Sequence, residues 1–288
     1  MSRIALITGT TGGLGGEIAS RLAAAGYGIA TLNRSREKAE AQAEALRRAH
    51  PGQDVYPFVA DLADTADVAR VIDEIASACP RLDAIYNVSG VLTDRRVVGP
   101  QGLESHFAVN TLAPYLLIRG LRPSLAAAAS AGGPAVVVNF SSEVVTGVKA
   151  FDVASLPDPP EIGGLFGAYA KTKLAVNAIG CMLADELRSD GILIYSVDPG
   201  ATKTGMTQGN KGMPFFVRLI APLVFKSVEF RAGQLLKAVD AAVEKGSTGL
   251  FISGGNEKPQ PALAVDPPFQ ADLRKLLDRL AAGYSTSC

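Results

Sequence analysis

The sequence predicts an α/β fold, a single Rossmann-type doubly wound domain whose seven-stranded parallel sheet is flanked by helices. Three observations predict it. Short aliphatic runs alternate with longer segments of helical period from the first residues to about residue 250, the pattern of stacked βαβ units. The runs are continuously apolar, as strands covered on both faces should be. A glycine-rich turn follows the first run and opens the first helical segment, the place where such folds hold a phosphate-bearing ligand.

Taken in order, the strand candidates lie at residues 4–8, 28–32, 55–60, 84–88, 135–140, 192–197 and 249–252. Between the first two, Leu14, Ile18 and Leu22 recur at four-residue spacing and mark a helix over 15–25. Val68, Val71, Ile72 and Ile75 make one apolar stripe of a helix over 67–79. A helical segment covers 103–121, and the alanines after Tyr169, with Val176, Ile179 and Leu183, read as another. Right-handed crossovers then give strand order 3-2-1-4-5-6-7, with the ligand site where the order reverses, beyond strands one and four. Residues 1–288 form one domain in this reading. A small-residue turn is expected at 126–134, two long loops at 143–166 and 201–228 are read as substrate-binding walls, and 253–288 is a C-terminal extension. For 143–166 the other reading is a disordered insertion without a role.

Lys+Arg and Asp+Glu balance at 28 each, which argues against a polyanion such as nucleic acid as partner. Cys79, Cys181 and Cys288 are odd in number and far apart, so neither a disulfide framework nor a metal site is expected. Met1-Ser2-Arg3 runs straight into Ile4-Ala5-Leu6-Ile7, leaving no room for a signal peptide, and no apolar run reaches the ~20 residues of a membrane span. The expected location is cytoplasmic. The apolar stretch 215–225 is interrupted by Arg218 and Pro222. It has three open readings: a substrate wall, a membrane contact, or the contact of a homo-oligomer.

Thr8-Gly9-Thr10-Thr11-Gly12-Gly13-Leu14-Gly15 has the position of a dinucleotide-binding turn, in which glycines let the backbone approach a pyrophosphate. Gly9, Thr11, Gly13, Leu14 and Gly15 are the candidate contacts. Asn33-Arg34-Ser35-Arg36 closes strand two without the acidic residue that would bind a free ribose hydroxyl. Its guanidinium groups favour NADP(H) over NAD(H), with Arg34 the chosen contact; the competing reading is the start of a solvated helix. Asp61 and Leu62 after strand three, and Asn87, Ser89 and Gly90 after strand four, stand where the adenine and the strand ends meet. Asp61 is equally readable as a helix cap.

Tyr169 and Lys173 are four apart, so a helix presents phenol and ammonium on one face. A neighbouring cation favours the phenolate and is expected to lower the tyrosine toward its working range, making Tyr169 a general acid/base. Ser142, with Ser141 as fallback, ends strand five where a hydroxyl can polarise a substrate oxygen. Asn110 is an amide amid apolar neighbours, expected to be buried with partners, either structural or in a proton path. After strand six, Asp198-Pro199-Gly200-Ala201-Thr202-Lys203-Thr204 turns sharply, with Pro199, Gly200, Thr202 and Thr204 placed to hold a nicotinamide. His50 and His106 are isolated from ligand-like clusters and are read as solvated or capping residues.

Together these segments resemble the short-chain dehydrogenase/reductase family, over about residues 4–252. The Thr-Gly-xxx-Gly-x-Gly turn, the Asn-x-x-Gly segment, the serine after strand five, the Tyr-xxx-Lys pair and the Pro-Gly turn come in the family's order. The resemblance implies a tetrad of Asn110, Ser142, Tyr169 and Lys173, in which Lys173 also binds the nicotinamide ribose and Asn110 holds a relay water. It implies carbonyl–alcohol interconversion with NADP(H). Asn33-Arg34 and the long gap between Ser142 and Tyr169 look like the retinol-dehydrogenase-like branch. Val88-Ser89 and Thr202 depart from the usual pattern. Apolar loop residues Phe151, Leu165, Phe166, Met206, Met213, Phe215 and Phe216 point to a lipophilic substrate. The alternatives are a non-catalytic NADP(H)-binding redox sensor and an epimerase- or dehydratase-like enzyme. Against the latter, little chain remains after strand seven to build a substrate domain.

Overall fold

The computed structural model describes residues 3–200, 202 and 226–283. Its strands are β1 (Ile4–Thr8), β2 (Gly28–Asn33), β3 (Val55–Val59), β4 (Ala84–Asn87), β5 (Ala135–Phe140), β6 (Ile192–Asp198), β7 (Leu250–Ser253) and β8 (Asn256–Lys258). They lie in one sheet in the order β3-β2-β1-β4-β5-β6-β7-β8. The first seven are parallel, and β8 returns antiparallel along β7. This last strand was not expected. The two-residue Gly254-Gly255 turn makes it, and its own residues, Asn256-Glu257-Lys258, are polar and exposed, so no apolar run announces it.

Alternation along the strands divides the core in two. Ala5, Ile7, Ile29 and Val138 face α1 (Gly13–Ala24), α2 (Arg36–Ala49) and α7 (Val228–Glu244). Leu6, Leu32, Ile85, Val137 and Ile194 face α3 (Thr65–Ala78), α5 (Ala113–Gly132), α6 (Ala168–Arg188) and α8 (Pro267–Ala282). A short α4 (Ser105–Phe107) leads into α5 through a π-helical turn, Ala108–Leu112. The small-residue turn expected at 126–134 is instead the end of α5, which continues to Gly132, because a run of alanines is the strongest helix former available. Segment 143–166 is not a featureless loop; it contains three short 3-10 turns, Glu143–Gly147, Val153–Ser155 and Gly164–Phe166. The C-terminal extension supplies α8, which Asp266 caps by accepting from Phe269 N. Leu273 and Leu277 of α8 are fully buried in the core, and Arg274 donates to the Met182 carbonyl of α6 at 2.9 Å.

Candidate active site

The turn between β1 and α1 is built for close approach. Gly9 has φ +73°, and a Cβ on Gly15 would lie 2.3 Å from the Gly9 carbonyl oxygen, so the loop lies directly on the helix. Asn33, at the end of β2, holds this turn from below. Its Oδ1 accepts from Thr10 N at 2.8 Å and its Nδ2 donates to Thr10 Oγ1 at 2.9 Å. Helix α1 begins at Gly12 without a side-chain cap, and Thr11, Gly12 and Gly13 are exposed. Backbone N–H groups at a helix start that no side chain satisfies are suited to an anionic group, so the turn fits a pyrophosphate. The Leu14 side chain is in the core, so only its backbone belongs to the turn.

Arg34 is exposed and makes no hydrogen bond or ion pair among the described residues. Arg36, in contrast, pairs with Glu40 one turn along α2, at 3.8 Å. Ser35 caps that helix through Lys38 N. The solvated-helix reading therefore describes Arg36 and leaves Arg34 free for an anion. Capping of α3 falls to Asp64, which accepts from Ala66 N and Asp67 N. Asp61 accepts from Ala63 N through Oδ1 at 2.9 Å, a local turn and not the helix cap weighed for it. Leu62 is a core residue.

Helix α6 carries Tyr169 and Lys173 on one face, as their spacing predicts, and both are buried. Lys173 Nζ donates to the Phe140 carbonyl at 2.6 Å and lies 5.8 Å from the Tyr169 ring centroid. Gly90, beyond β4, packs tightly into this arrangement: a Cβ there would sit 3.3 Å from Lys173 Nζ and 3.2 Å from Asn110 Oδ1. The two serines after β5 separate cleanly. Ser141 turns to α6, donating to the Lys173 carbonyl and to Asn177 Oδ1, whereas Ser142 lies close enough to the Tyr169 phenol to lower it. Asn110 lies in the π turn, 1% exposed. It clamps the backbone of Val91, accepting from its N–H at 2.8 Å and donating to its carbonyl at 3.0 Å, and also donates to Thr172 Oγ1.

The electrostatics differ from the expectation of an acidified tyrosine. Burial, reinforced by the Asp198 carboxylate, pushes Tyr169 up to about 12 against the lowering influence of the nearby Ser142 hydroxyl. Burial also pushes Lys173 down to about 8, opposed by Asp198. In the protein alone, desolvation outweighs the neighbouring cation, and the phenol holds its proton firmly. Asp198 was quoted in the sequence only as the start of a turn. It is 8% exposed, accepts from Ser253 Oγ at 3.0 Å, and its own carboxyl is raised by burial.

Other candidates fall as follows. Ser89 N donates to Thr8 Oγ1 at 2.8 Å, tying the β4 loop to β1. Asn87 donates to Asn139 Oδ1 on the adjacent strand at 2.8 Å, leaving Asn87 Oδ1 and Asn139 Nδ2 buried without partners among the described residues. Gly200 and Pro199 follow β6, and Thr202 donates to the Gly200 carbonyl. Thr204, Met206, Met213, Phe215, Phe216, the stretch 215–225 and Cys288 lie outside the described residues. Phe151 is half-buried and packs edge-to-face on Phe269 at 5.5 Å, against the core. His50 is the C-cap residue of α2, with Nε2 2.9 Å from Ser20 Oγ. His106 is neither solvated nor isolated: it is fully buried, 6.4 Å from Tyr169 between ring centroids. A cavity of about 610 Å³ opens beside Ser142, from Glu143 to Asp266, but Tyr169 and Lys173 do not line it. Among the described residues no helix is long and apolar enough to cross a membrane, and no side-chain cluster could hold a metal.

A doubly wound sheet with an uncapped glycine turn at its switch point and a Tyr–Lys–Ser group beside it defines a nucleotide-dependent oxidoreductase. A family model described as short chain dehydrogenase matches residues 3–213. Human retinol dehydrogenase 13 is 29% identical over 91% of this chain and 79% of its own length. Two solved structures share the fold. The Pseudomonas aeruginosa RhlG/NADP active-site complex has a TM-score of 0.68 at 27% identity, covering 88% of this chain and 95% of that one. The 3-ketoacyl-(acyl-carrier-protein) reductase of Brucella melitensis complexed with NADH has a TM-score of 0.65 at 23% identity, covering 88% and 97%. The chain belongs to the short-chain dehydrogenase/reductase family, in its retinol-dehydrogenase-like branch, and is an oxidoreductase of alcohol and carbonyl substrates.

Proposed function

We propose that the chain is an NADP(H)-dependent enzyme that interconverts a carbonyl and an alcohol on a small lipophilic molecule, with Tyr169 as general acid/base. One observation carries this reading: the Tyr169 phenol has Ser142 close enough to lower it and shares a helix face with Lys173, whose ammonium closes on Gly90 beside the glycine turn. Gly9, Thr11, Gly13, Leu14 and Gly15 would hold the pyrophosphate by their backbone, and Arg34 the 2′-phosphate. Asp61, Leu62, Asn87, Ser89 and Gly90 would line the adenosine side, and Pro199, Gly200, Thr202 and Thr204 the nicotinamide side. The nucleotide, when bound, supplies or accepts the hydride.

The chain's own residues do the rest. Ser142 and Tyr169 would supply the two hydroxyls that polarise a carbonyl oxygen. Tyr169, protonated at neutral pH because burial holds it up to about 12, is ready to donate that proton as the oxygen becomes an alkoxide. Lys173 shares the phenol's helix face and, by the resemblance, would grip the nicotinamide ribose. Asn110 fixes the loop that faces them. A lipophilic substrate is supported by Val97, Val98 and Phe166, exposed apolar side chains of the loops after β4 and before α6, and by the retinol substrate in the name of retinol dehydrogenase 13. A cytoplasmic setting is supported by Cys79 and Cys181, both unpaired thiols.

The test is NADPH oxidation against a panel of ketones and aldehydes, with a fluorescence titration of NADPH. Tyr169→Phe is expected to lose at least ~10²-fold in turnover while binding NADPH as the wild type does. Full turnover without the phenolic oxygen refutes the reading, and NADPH binding with no turnover of any substrate points to the redox sensor.

A further inference from the structure

Three consecutive residues at the start of α4 hold both loops that frame the site. Glu104 N donates to the Pro157 carbonyl at 2.8 Å, in segment 143–166, and Ser105 N donates to the Val97 carbonyl at 2.8 Å, in the loop after β4. His106 Nε2 accepts from Thr93 N in that same loop at 3.1 Å. All three side chains are buried, Glu104 at 1% and His106 at 0% exposure. The Glu104 carboxylate accepts from Ser105 Oγ, from His106 N and from His106 Nδ1, the last at 3.0 Å. Burial alone would raise this carboxyl, but the hydrogen bonds from His106 and Ser105, with the charge attraction of a protonated His106, outweigh it; its oxygens serve as acceptors to all three donors.

Two neighbours therefore dictate where the imidazole proton sits. An ionised Glu104 demands Nδ1–H, and the Thr93 N–H demands a lone pair on Nε2. The ring so fixed stands edge-to-face against Tyr169, at 76° between planes. One helical turn on, Asn110 grips Val91 by both backbone groups, so His106 and Asn110 form a two-point clamp on residues 91–93.

We propose that His106, locked by Glu104 as the neutral Nδ1–H tautomer, is a positioning residue that sets the loop after β4 through Thr93 and the plane of the Tyr169 phenol through its ring. The phenol half of this rests on the acid/base reading of Tyr169. The two contacts are separable by substitution. His106→Gln keeps an acceptor for Thr93 N and removes the ring; His106→Phe keeps a ring, leaves Thr93 N unpaired and takes the Nδ1–H donor from Glu104.

Long-range ¹H–¹⁵N spectra of the wild type are expected to show the Nδ1–H tautomer at neutral pH, lost in Glu104→Gln. For His106→Gln, kcat falls roughly tenfold or more with KM for NADPH unchanged, as a misaimed reacting group requires. For His106→Phe, the Kd and KM for NADPH rise roughly five- to tenfold with kcat largely kept, the effect of one lost buried hydrogen bond. The proposal is overturned if the wild-type ring is an imidazolium or the Nε2–H tautomer. It is also overturned if both variants leave kcat and KM within twofold, or lower them together in proportion to folded protein measured by circular dichroism. Tyr169→Phe separates the two readings. Its loss of turnover beside a normal kcat in His106→Gln overturns the role of His106 alone. Its retained turnover overturns the acid/base reading together with the phenol half of the proposal.

Discussion

Replacing Lys173 by methionine is expected to stabilise the cofactor-free protein while removing its activity. Lys173 is 4% exposed, and burial pushes its ammonium down to about 8 from 10.5. At ~1.4 kcal/mol per pH unit, that displacement makes the charged form cost the fold roughly 3 kcal/mol at neutral pH. Methionine fills a similar volume without a charge. It forfeits the hydrogen bond to the Phe140 carbonyl, worth about 1 kcal/mol, so the net gain is about 2 kcal/mol.

The pH dependence distinguishes this from simple repacking. Below about 8 both native and unfolded chains hold the lysine proton and the burden is full. Between about 8 and 10.5 the native chain has released it and the unfolded chain has not. The unfolded state then binds more protons, and wild-type stability rises with pH relative to the variant. The advantage of Lys173→Met should shrink by roughly 2 kcal/mol between pH 7 and pH 9.5. Cys79 and Cys181, whose thiols burial raises to about 11, titrate in both proteins and cancel in the difference. Urea unfolding of both proteins at the two pH values measures it. A variant less stable than wild type at pH 7, or a gap that does not change with pH, refutes the assignment of an expensive buried charge.

Three further outcomes are expected. Arg34→Ala should weaken NADP⁺ binding by roughly tenfold or more, the worth of a charge-assisted contact, and leave NAD⁺ unchanged in parallel titrations; equal losses on both would remove Arg34 from the 2′-phosphate. Gly15→Ala places a Cβ 2.3 Å from the Gly9 carbonyl oxygen, so the turn must move. Thermal unfolding should shift down by an amount equivalent to about 1–3 kcal/mol, with at least a tenfold loss of NADPH affinity. Asp198→Asn removes the carboxylate that raises both Tyr169 and Lys173, so the pH–rate profile of alcohol oxidation should move toward acid. An unmoved profile would show that Asp198 does not reach the phenol.

Much of this was legible because each strand, βα turn and helix stripe is a local pattern. Tyr169 and Lys173 share a face because they are four apart on one helix, and the glycine turn is contiguous in the chain. The charge state of the tyrosine was not legible. Spacing shows a cation nearby, whereas the degree of burial, which decides the sign here, depends on how α6 packs on the sheet. Asp198 and His106 were missed for the same reason. Asp198 reaches the site from β6, across the sheet from β4, and His106 does so because Glu104 and Thr93 fold around it. Strand β8 was missed because its residues carry no apolar signal, and a cap role stayed open for Asp61 because Asp61 and Asp64 both precede the same helix.

One feature of the strands links the fold to the site. The aliphatic runs of β1, β2, β4, β6 and β7 end at Thr8, Asn33, Asn87, Asp198 and Ser253, and β5 places Asn139 next to last; all six are buried. A buried polar group costs stability unless it is hydrogen-bonded, so six at one end of a sheet are tolerable only as a linked set. Thr8 holds the β4 loop, Asn33 holds the glycine turn, Asn87 bonds Asn139, and Asp198 bonds Ser253. The carboxyl ends of the sheet thus trade apolar packing for polar links between neighbouring elements, β2 to β1, β1 to β4, β4 to β5 and β6 to β7, beneath loops that bear candidate site residues. Asn87 and Asn139 keep orphan atoms even then, which locates the residual cost at β4 and β5, directly beneath the loops that carry Gly90 and Ser142.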